Sequence, residues 1–396
     1  MKKVFILGAS ALQVPLIKTA KKMGLYVIII DMNPDAVGFK YADETHIVST
    51  TDTNGIMQLA MQIKPDAIIT AATDMPMRTI AQIGEQLGYN TISYDTSLKA
   101  TDKFLMRSAL KEAGVPVPEF ILAKNKSEYD VATSKIQGSK IIKPDDSSGS
   151  RGIYLLNNES ESDDAFNHAM NHSRDKKILV EECMVGKEVS VETMTINNNT
   201  SVVAITDKLT SGAPHFIETG HHIPSLLDNN TQKKIREITK EAIQAIGLKN
   251  GPAHTEIIVT EEGPKVVEIG ARLGGDFITS HLVKNGTSID LIKQHILQSL
   301  GELKSLENKI EYYGAAIRYF QVTPGIVQNI EIPEEITKNN NVLELEFNYN
   351  VGDRVRKIKS SSDRFGYIIC KGKTVEKAIE LCDSYVDMIN IITKKV

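Results

Sequence analysis

The stretch HTEIIVTEEGPKVVEIGARLGGD, residues 254–276, holds side chains whose types and spacing could do chemistry. Two β-like runs, Thr255–Val259 and Lys265–Ile269, flank the turn Thr260-Glu261-Glu262-Gly263-Pro264. An antiparallel hairpin centred on Glu262 sets Val259 opposite Lys265 and Glu256 opposite Glu268. Opposed residues share a face, with Cβ atoms about 4.5–5.5 Å apart. Two carboxylates placed so repel unless something cationic lies between them. Mg²⁺ suits that place, being a hard cation held by one or two carboxylates together with substrate phosphates. The plainer alternative is an exposed hairpin carrying two solvated glutamates. Arg272, four residues past Glu268, comes to lie near any phosphate such a metal holds. Gly274-Gly275-Asp276 points to a further close approach of backbone.

Two other stretches could serve a phosphate and its nucleotide. In IIKPDDSSGSRGIYL, Lys143 closes an apolar strand, Pro144 ends it, and Ile153–Leu156 reads as the returning strand. A surface hairpin needs only about two to five loop residues. The longer loop here, with Ser147–Gly152 at its heart, has small side chains and exposed amide donors, fit to close over phosphate or simply to form a floppy tip. In LVEECMVGKEVSVE, a strand carries Glu181 and Glu182, turns at Val185-Gly186 and resumes with Glu188. Acceptor carboxylates and a backbone edge could hold an exocyclic amine and two ribose hydroxyls, although charged strand ends are also ordinary.

The elements that must position these residues follow from periodicity. Val4–Leu7, Tyr26–Ile30, Thr45–Val48, Ala67–Thr70 and Thr91–Ser93 read as short strands alternating with helices, the pattern of a parallel α/β sheet. The first turn, residues 8–13, sits where a dinucleotide fingerprint would, with Asp31 placed for ribose, but Ser10 and Gln13 stand in its second and third glycine positions. Asp102–Ala113 reads as a helix closed by Gly114, and Val115–Pro118 as an extended connector. Antiparallel strands are expected over Lys140–Lys143, Gly152–Leu156, Ile178–Glu182, Glu188–Ile196 and Val202–Thr206, then an amphipathic helix over Thr231–Ile246. Strands near Gly314–Phe320, Val342–Phe347 and Tyr367–Cys370 precede a last helix. Its stripe Val375, Ile379, Cys382, Val386 and Ile389 is core packing. The expected units are 1–100, 101–308 with a mobile small subdomain about 115–182, and 309–396.

Composition narrows the classes. The 396 residues are too many for one ordinary core. A hydrophobic share of 41% and a charged share of 24% are those of a soluble globular protein. Lys+Arg of 46 against Asp+Glu of 50 leaves no basic stripe for nucleic acid, and no apolar run approaches the roughly 18 residues of a membrane span. Met1–Leu7 starts like a signal peptide but is broken by Gly8-Ala9-Ser10 and reads as a buried strand. The 3 cysteines lack CxxC spacing, which argues against disulfide or zinc frameworks and for a reduced, cytoplasmic protein.

Together these features resemble the ATP-grasp superfamily of carboxylate–amine ligases. The resemblance implies an α/β and α+β chain: a Rossmann-like pre-ATP-grasp domain without dinucleotide, an ATP-grasp fold and a small C-terminal α+β unit. It implies ATP as cosubstrate and Mg²⁺, with Mn²⁺ able to replace it. Carried over by position, Lys103 and Lys143 look like the lysines on the ATP phosphates. Ser148, Gly149, Ser150 and Gly152 look like the loop over them. Glu181, Glu182 and Met184 resemble the adenine hinge, and Glu188 the ribose acid. Glu256 and Glu268 match the metal ligands, and Arg272, with Lys143, the catalytic cations. Many members read Glu-x-Asn where this chain has Gly270, so one metal ligand is missing. EIGARLGGD resembles the branch of bacterial L-amino acid ligases, which make dipeptides. There Glu218, His221, Arg272 and Gly275 take the substrate positions, with His254 orienting Glu256.

The activity so implied is acyl-phosphate formation on a small carboxylate, then attack by an amine, here an amino acid. No nucleic-acid or membrane partner is expected, and family members are often homodimers. The alternatives are a carbamoyl-phosphate-synthase-like or carboxylase-type enzyme acting on bicarbonate, a Rossmann oxidoreductase and a non-catalytic nucleotide sensor.

Overall fold

The computed structural model describes residues 1–146, 152–212, 216–306 and 310–395. Strands β1 (Lys3–Leu7), β2 (Tyr26–Asp31), β3 (Glu44–Ile47) and β4 (Ala67–Ile69) form a parallel sheet in the order β3-β2-β1-β4. Strands β1, β2 and β4 are largely continuous apolar runs because helices and the body of the molecule cover both faces, whereas the edge strand β3 is polar and half-exposed. Residues 91–93 are not a strand. Ser93 instead caps the helix Tyr94–Lys99, its hydroxyl accepting from Thr96 N, while Tyr94 N donates to Glu85. A capped helix start holds the backbone that a fifth strand would need.

The turn after β1 closes on itself. Asp31 accepts from Ala9 N at 2.8 Å, and the buried Gln13 side chain bridges Ser10 N and the Ala71 carbonyl. The groups a dinucleotide would engage are met from within the chain.

The helix Lys103–Glu112 begins at Asp102, whose side chain accepts from Leu105 N. It leads into a lobe made of β5 (Phe120–Ala123), β6 (Lys140–Pro144), β7 (Tyr154–Leu156) and β8 (Ile178–Glu182), ordered β5-β8-β6-β7. This lobe has its own apolar core, built around Tyr129, Ile142, Ala165, Ile178 and Val180.

The central sheet has eight strands: β9 (Lys187–Ile196), β10 (Asn199–Thr210), β11 (Glu218–Ile223), β12 (Gly251–Thr260), β13 (Gly263–Gly270), β14 (Gly314–Tyr319), β16 (Val342–Phe347) and β18 (Gly366–Gly372). Their order is β13-β12-β9-β10-β11-β14-β18-β16, so C-terminal strands extend the sheet that carries the hairpin. Strands β15 (Gly325–Glu331), β17 (Arg354–Val355) and β19 (Asn390–Lys394) make a small separate sheet. The last helix, Val375–Met388, buries Val375, Ala378, Cys382 and Tyr385 against it and the end of the large sheet. Two further apolar clusters run unbroken from the N-terminal sheet into the central one, so the N-terminal unit is fixed to the body. Among the described residues, no helix is long and apolar enough to cross a membrane.

Candidate active site

The expected pairing of Glu256 with Glu268 is present, reached by a different route. The hairpin turn is tighter than a centre on Glu262 requires, so that Thr260 pairs with Gly263 and Val259 with Pro264 rather than Lys265. A bulge between Glu256 and Ile257 then restores the register by one residue. Strand β12 is held straight on its other side, pairing without a break from Gly251 to Val259 against β9. Pairing there puts Glu192 opposite His254, Ser190 opposite Glu256 and Glu188 opposite Ile258.

This face looks into a cavity of about 470 Å³ whose lining includes Lys103, Lys143, Ser361 and Arg364. The carboxylates meet cations from the chain itself. Lys103 Nζ lies 3.0 Å from Glu268. Lys208, on β10, sets its buried ammonium 3.0 Å from Glu256, 2.5 Å from Glu188 and 4.0 Å from Glu218. Burial opposes the charge on Lys208, but the three glutamates outweigh it and push its pKa up. Behind Glu256 lies His254, with Nε2 at 3.5 Å from that carboxylate and Nδ1 in a short hydrogen bond to the fully buried Glu192. Burial works against the imidazolium, yet Glu192 and Glu256 raise its pKa to about 9. Glu256 itself is held well below the usual range: burial is overcome by Lys208 and His254. Gly274 backs this cluster closely, since a Cβ there would stand 2.8 Å from both Glu192 and His254.

Lys143 and Glu181 form a second cluster. Lys143 Nζ donates to Glu181 at 2.7 Å, and Arg107, 1% exposed, donates to the same carboxylate from Nε at 3.1 Å. Burial would raise the Glu181 pKa, but the two cations hold it down. The side chain of Glu181 therefore braces Lys143, while that of Glu182 pairs with Lys265 at 3.0 Å. Cys183 and Met184 border the cavity, and so does Glu188. Ser148, Gly149 and Ser150 lie outside the described residues. Gly152, at the loop's end, packs against Pro144 and His172.

Arg272 is gripped from the N-terminal unit: Nε and Nη2 each donate to Asp74 at 2.9 Å, and Nη1 to the Leu273 carbonyl at 3.3 Å. This pair explains Gly270. A Cβ there would come within 2.9 Å of Arg272 Cζ and 3.0 Å of Asp74 Oδ1, so the space of the absent side chain belongs to the ion pair.

Glu218 and His221 both border the cavity. Residues three apart on a regular strand face opposite ways. Here the register against β10 shifts by one at Thr219, since Thr210 pairs with Glu218 and Leu209 with Gly220. Glu218 accepts from Ser361 Oγ at 2.8 Å. His221 Nε2 donates to Asp276 at 2.7 Å, and Asp276 also receives the fork of Arg364. Gly275 borders the same cavity.

Among the described residues, no three His, Cys, Asp or Glu side chains converge into a ready-made metal cage. Two opposed carboxylates on one face still suit Mg²⁺, which takes its remaining ligands from phosphates and water. Sequence reasoning missed Asp74, Arg107, Lys208, Ser361 and Arg364. Only Asp74, in the turn-like run Thr73-Asp74-Met75-Pro76, had any local signal.

Residues 136–280 match the ATP-grasp domain model, and residues 318–394 match L-amino acid ligase C-terminal domain 2. An L-arginine-specific L-amino acid ligase of Bacillus subtilis is 27% identical over 81% of this chain and 80% of its own. A formate-dependent phosphoribosylglycinamide formyltransferase of Sulfurisphaera tokodaii is 26% identical over 80% of each chain. The crystal structure of an L-amino acid ligase from Bacillus licheniformis superposes with a TM-score of 0.85 at 21% identity, covering 100% of this chain and 99% of that one. The chain carries an ATP-grasp domain over residues 136–280 and an L-amino acid ligase C-terminal domain over residues 318–394, and is an ATP-dependent enzyme that forms C–N bonds.

Proposed function

We propose that this enzyme is an L-amino acid ligase: it activates the carboxylate of one L-amino acid as an acyl-phosphate, joins it to the amine of a second, and releases ADP and phosphate. The observation that carries this reading is the cavity lining, where His221 and Arg364 both meet Asp276 and Glu218 lies beside Ser361. Charges of both signs within one pocket suit zwitterions better than bicarbonate.

In this reading a carboxylate oxygen attacks the γ-phosphorus of ATP, and ADP leaves. The amine nitrogen then attacks the acyl carbon, phosphate departs with the C–O electron pair, and the nitrogen loses a proton. Lys103 and Lys143 hold the phosphates, and Arg272, aimed by Asp74, stabilises the charge on the transferred group and the tetrahedral intermediate. The backbone of residues 182–184 and Glu188 receive the nucleoside. Mg²⁺ at Glu256 and Glu268, with Mn²⁺ able to replace it, would supply charge neutralisation on the phosphates. Lys208 keeps Glu256 neutralised in its absence. Closure of the β5–β8 lobe would exclude water, which otherwise hydrolyses the acyl-phosphate. We place the reaction in the cytoplasm.

The test is phosphate release from ATP with twenty L-amino acids, singly and in pairs, with product masses recorded. Pair-dependent release with a dipeptide mass supports the reading. Release with bicarbonate alone would replace it by a carboxylase-type or carbamoyl-phosphate-type activity.

A further inference from the structure

Two arginines stand at the cavity wall, each braced by an aspartate but along a different edge: Arg272 grips Asp74 through Nε and Nη2, and Arg364 grips Asp276 through Nη1 and Nη2. Arg272 places three of its five N–H groups on Asp74 and the Leu273 carbonyl. Arg364 places three on Asp276, at 2.9 and 2.5 Å, and on the Ser361 carbonyl at 2.9 Å. Each is thereby fixed in direction, and each keeps two N–H groups without a partner among the described residues, one on each terminal nitrogen. The Arg364 guanidinium also lies over the Tyr319 ring at 3.7 Å from its centroid, so its donors are confined to one plane. With its end-on fork spent on Asp276, Arg364 keeps one N–H on each of two opposite edges, and such a donor, held in a fixed direction, can take one oxygen of a carboxylate.

The two sites differ in their neighbours. Arg272 lies within the field of the Glu268 and Glu192 carboxylates. Arg364 comes from the C-terminal unit and lies beside Ser361, whose hydroxyl donates to Glu218. A dipeptide-forming enzyme handles two carboxylates with different fates: one becomes the acyl-phosphate, and the other stays a carboxylate throughout.

We infer that Arg364 is a specificity-determining residue that binds the unreacting carboxylate of the amino acid supplying the amine, with Ser361 setting Glu218 beside it. This rests on the amino-acid ligase reading above. The step it serves forms the C–N bond and breaks the C–O bond to phosphate, and the carboxylate held by Arg364 keeps all its atoms.

Hydroxylamine separates the two halves of the reaction, because it traps an acyl-phosphate as a hydroxamate and has no carboxylate to be recognised. Hydroxamate formation by the wild type across twenty L-amino acids names the activated substrate, and pairwise ligation names the amine. Arg364→Gln is expected to leave the hydroxamate rate within about twofold and to raise KM for the amine-supplying amino acid at least tenfold. The KM values for ATP and for the activated amino acid should stay unchanged. The carboxamide of the amine substrate should then react equally well with wild type and variant. Arg364→Lys, which keeps a charge on Asp276, should fall between, and it replaces the Gln variant if that one fails to fold. Equal loss of hydroxamate and dipeptide, or no change in KM for the amine, would overturn the assignment while leaving the ligase reading intact. No hydroxamate and no ligation by the wild type with any amino acid would remove both.

Discussion

Asp74 and Arg272 stand 198 residues apart in the chain and meet as a bidentate ion pair, both bonds at 2.9 Å, with Gly270 leaving the room they need. The N-terminal unit thus reaches into the site as the brace of the arginine proposed to stabilise the reaction. Asp74→Asn should leave ATP affinity within about twofold and lower kcat by roughly 10- to 100-fold, as a misplacement of about 1 Å can do. Gly270→Ala should act in the same direction by pushing the pair apart. Unchanged kcat in both variants would show that Arg272 needs no brace.

Glu181 makes opposite demands of its two partners. Lys143→Met leaves the carboxylate paired with Arg107, so the melting temperature should move little. The rate should fall about 10²- to 10³-fold, the cost of a lost charge-stabilising donor. Arg107→Ala removes the more deeply enclosed partner and should cost roughly 3–5 kcal/mol of stability. Denaturant unfolding paired with phosphate release checks both; a Lys143 variant with full activity would sink the site assignment.

His295 gives the fold an acid limit. Burial holds its pKa down to about 4, and it lies where the N-terminal sheet meets the central body, beside Asn90 and Gln298. A histidine depressed when folded binds more protons when unfolded, so its contribution is fully present above about pH 6.5 and is lost as pH falls towards 4. The stability at stake is roughly 2–4 kcal/mol. His295→Gln should flatten the dependence of melting temperature on pH between 6.5 and 4; an unaltered slope would refute this.

Ile389, almost wholly buried in the C-terminal core, is remote from the cavity wall. Ile389→Ala should cost about 2–4 kcal/mol and leave kcat within twofold at a temperature where the variant stays folded.

Much of the fold was legible because strand and helix periods are local. Lys143 at a strand end and the Glu256–Glu268 pairing follow from short-range rules, whereas Lys103 was reached only through the family resemblance. The hairpin argument reached the right carboxylates with the wrong neighbours: a tighter turn and a bulge offset each other, and neither leaves a mark in composition. Thr91–Ser93 misled because a β-like run ends in a serine whose side chain starts a helix. Asp74, Lys208 and Arg364 were not legible, since what makes each matter is a partner brought near by sheet order. Lys208 meets glutamates from three other strands, and Arg364 reaches Asp276 only because C-terminal strands extend the central sheet.

The bulge beside Glu256 separates the hairpin into two independently aligned stretches. Beyond it, the tip at Glu261-Glu262 can lengthen or shorten without sliding the carboxylates past each other, because β9 fixes the alignment of β12 and the bulge absorbs the mismatch in β13. A short epitope spliced into that tip is therefore a route to labelling the enzyme while it works.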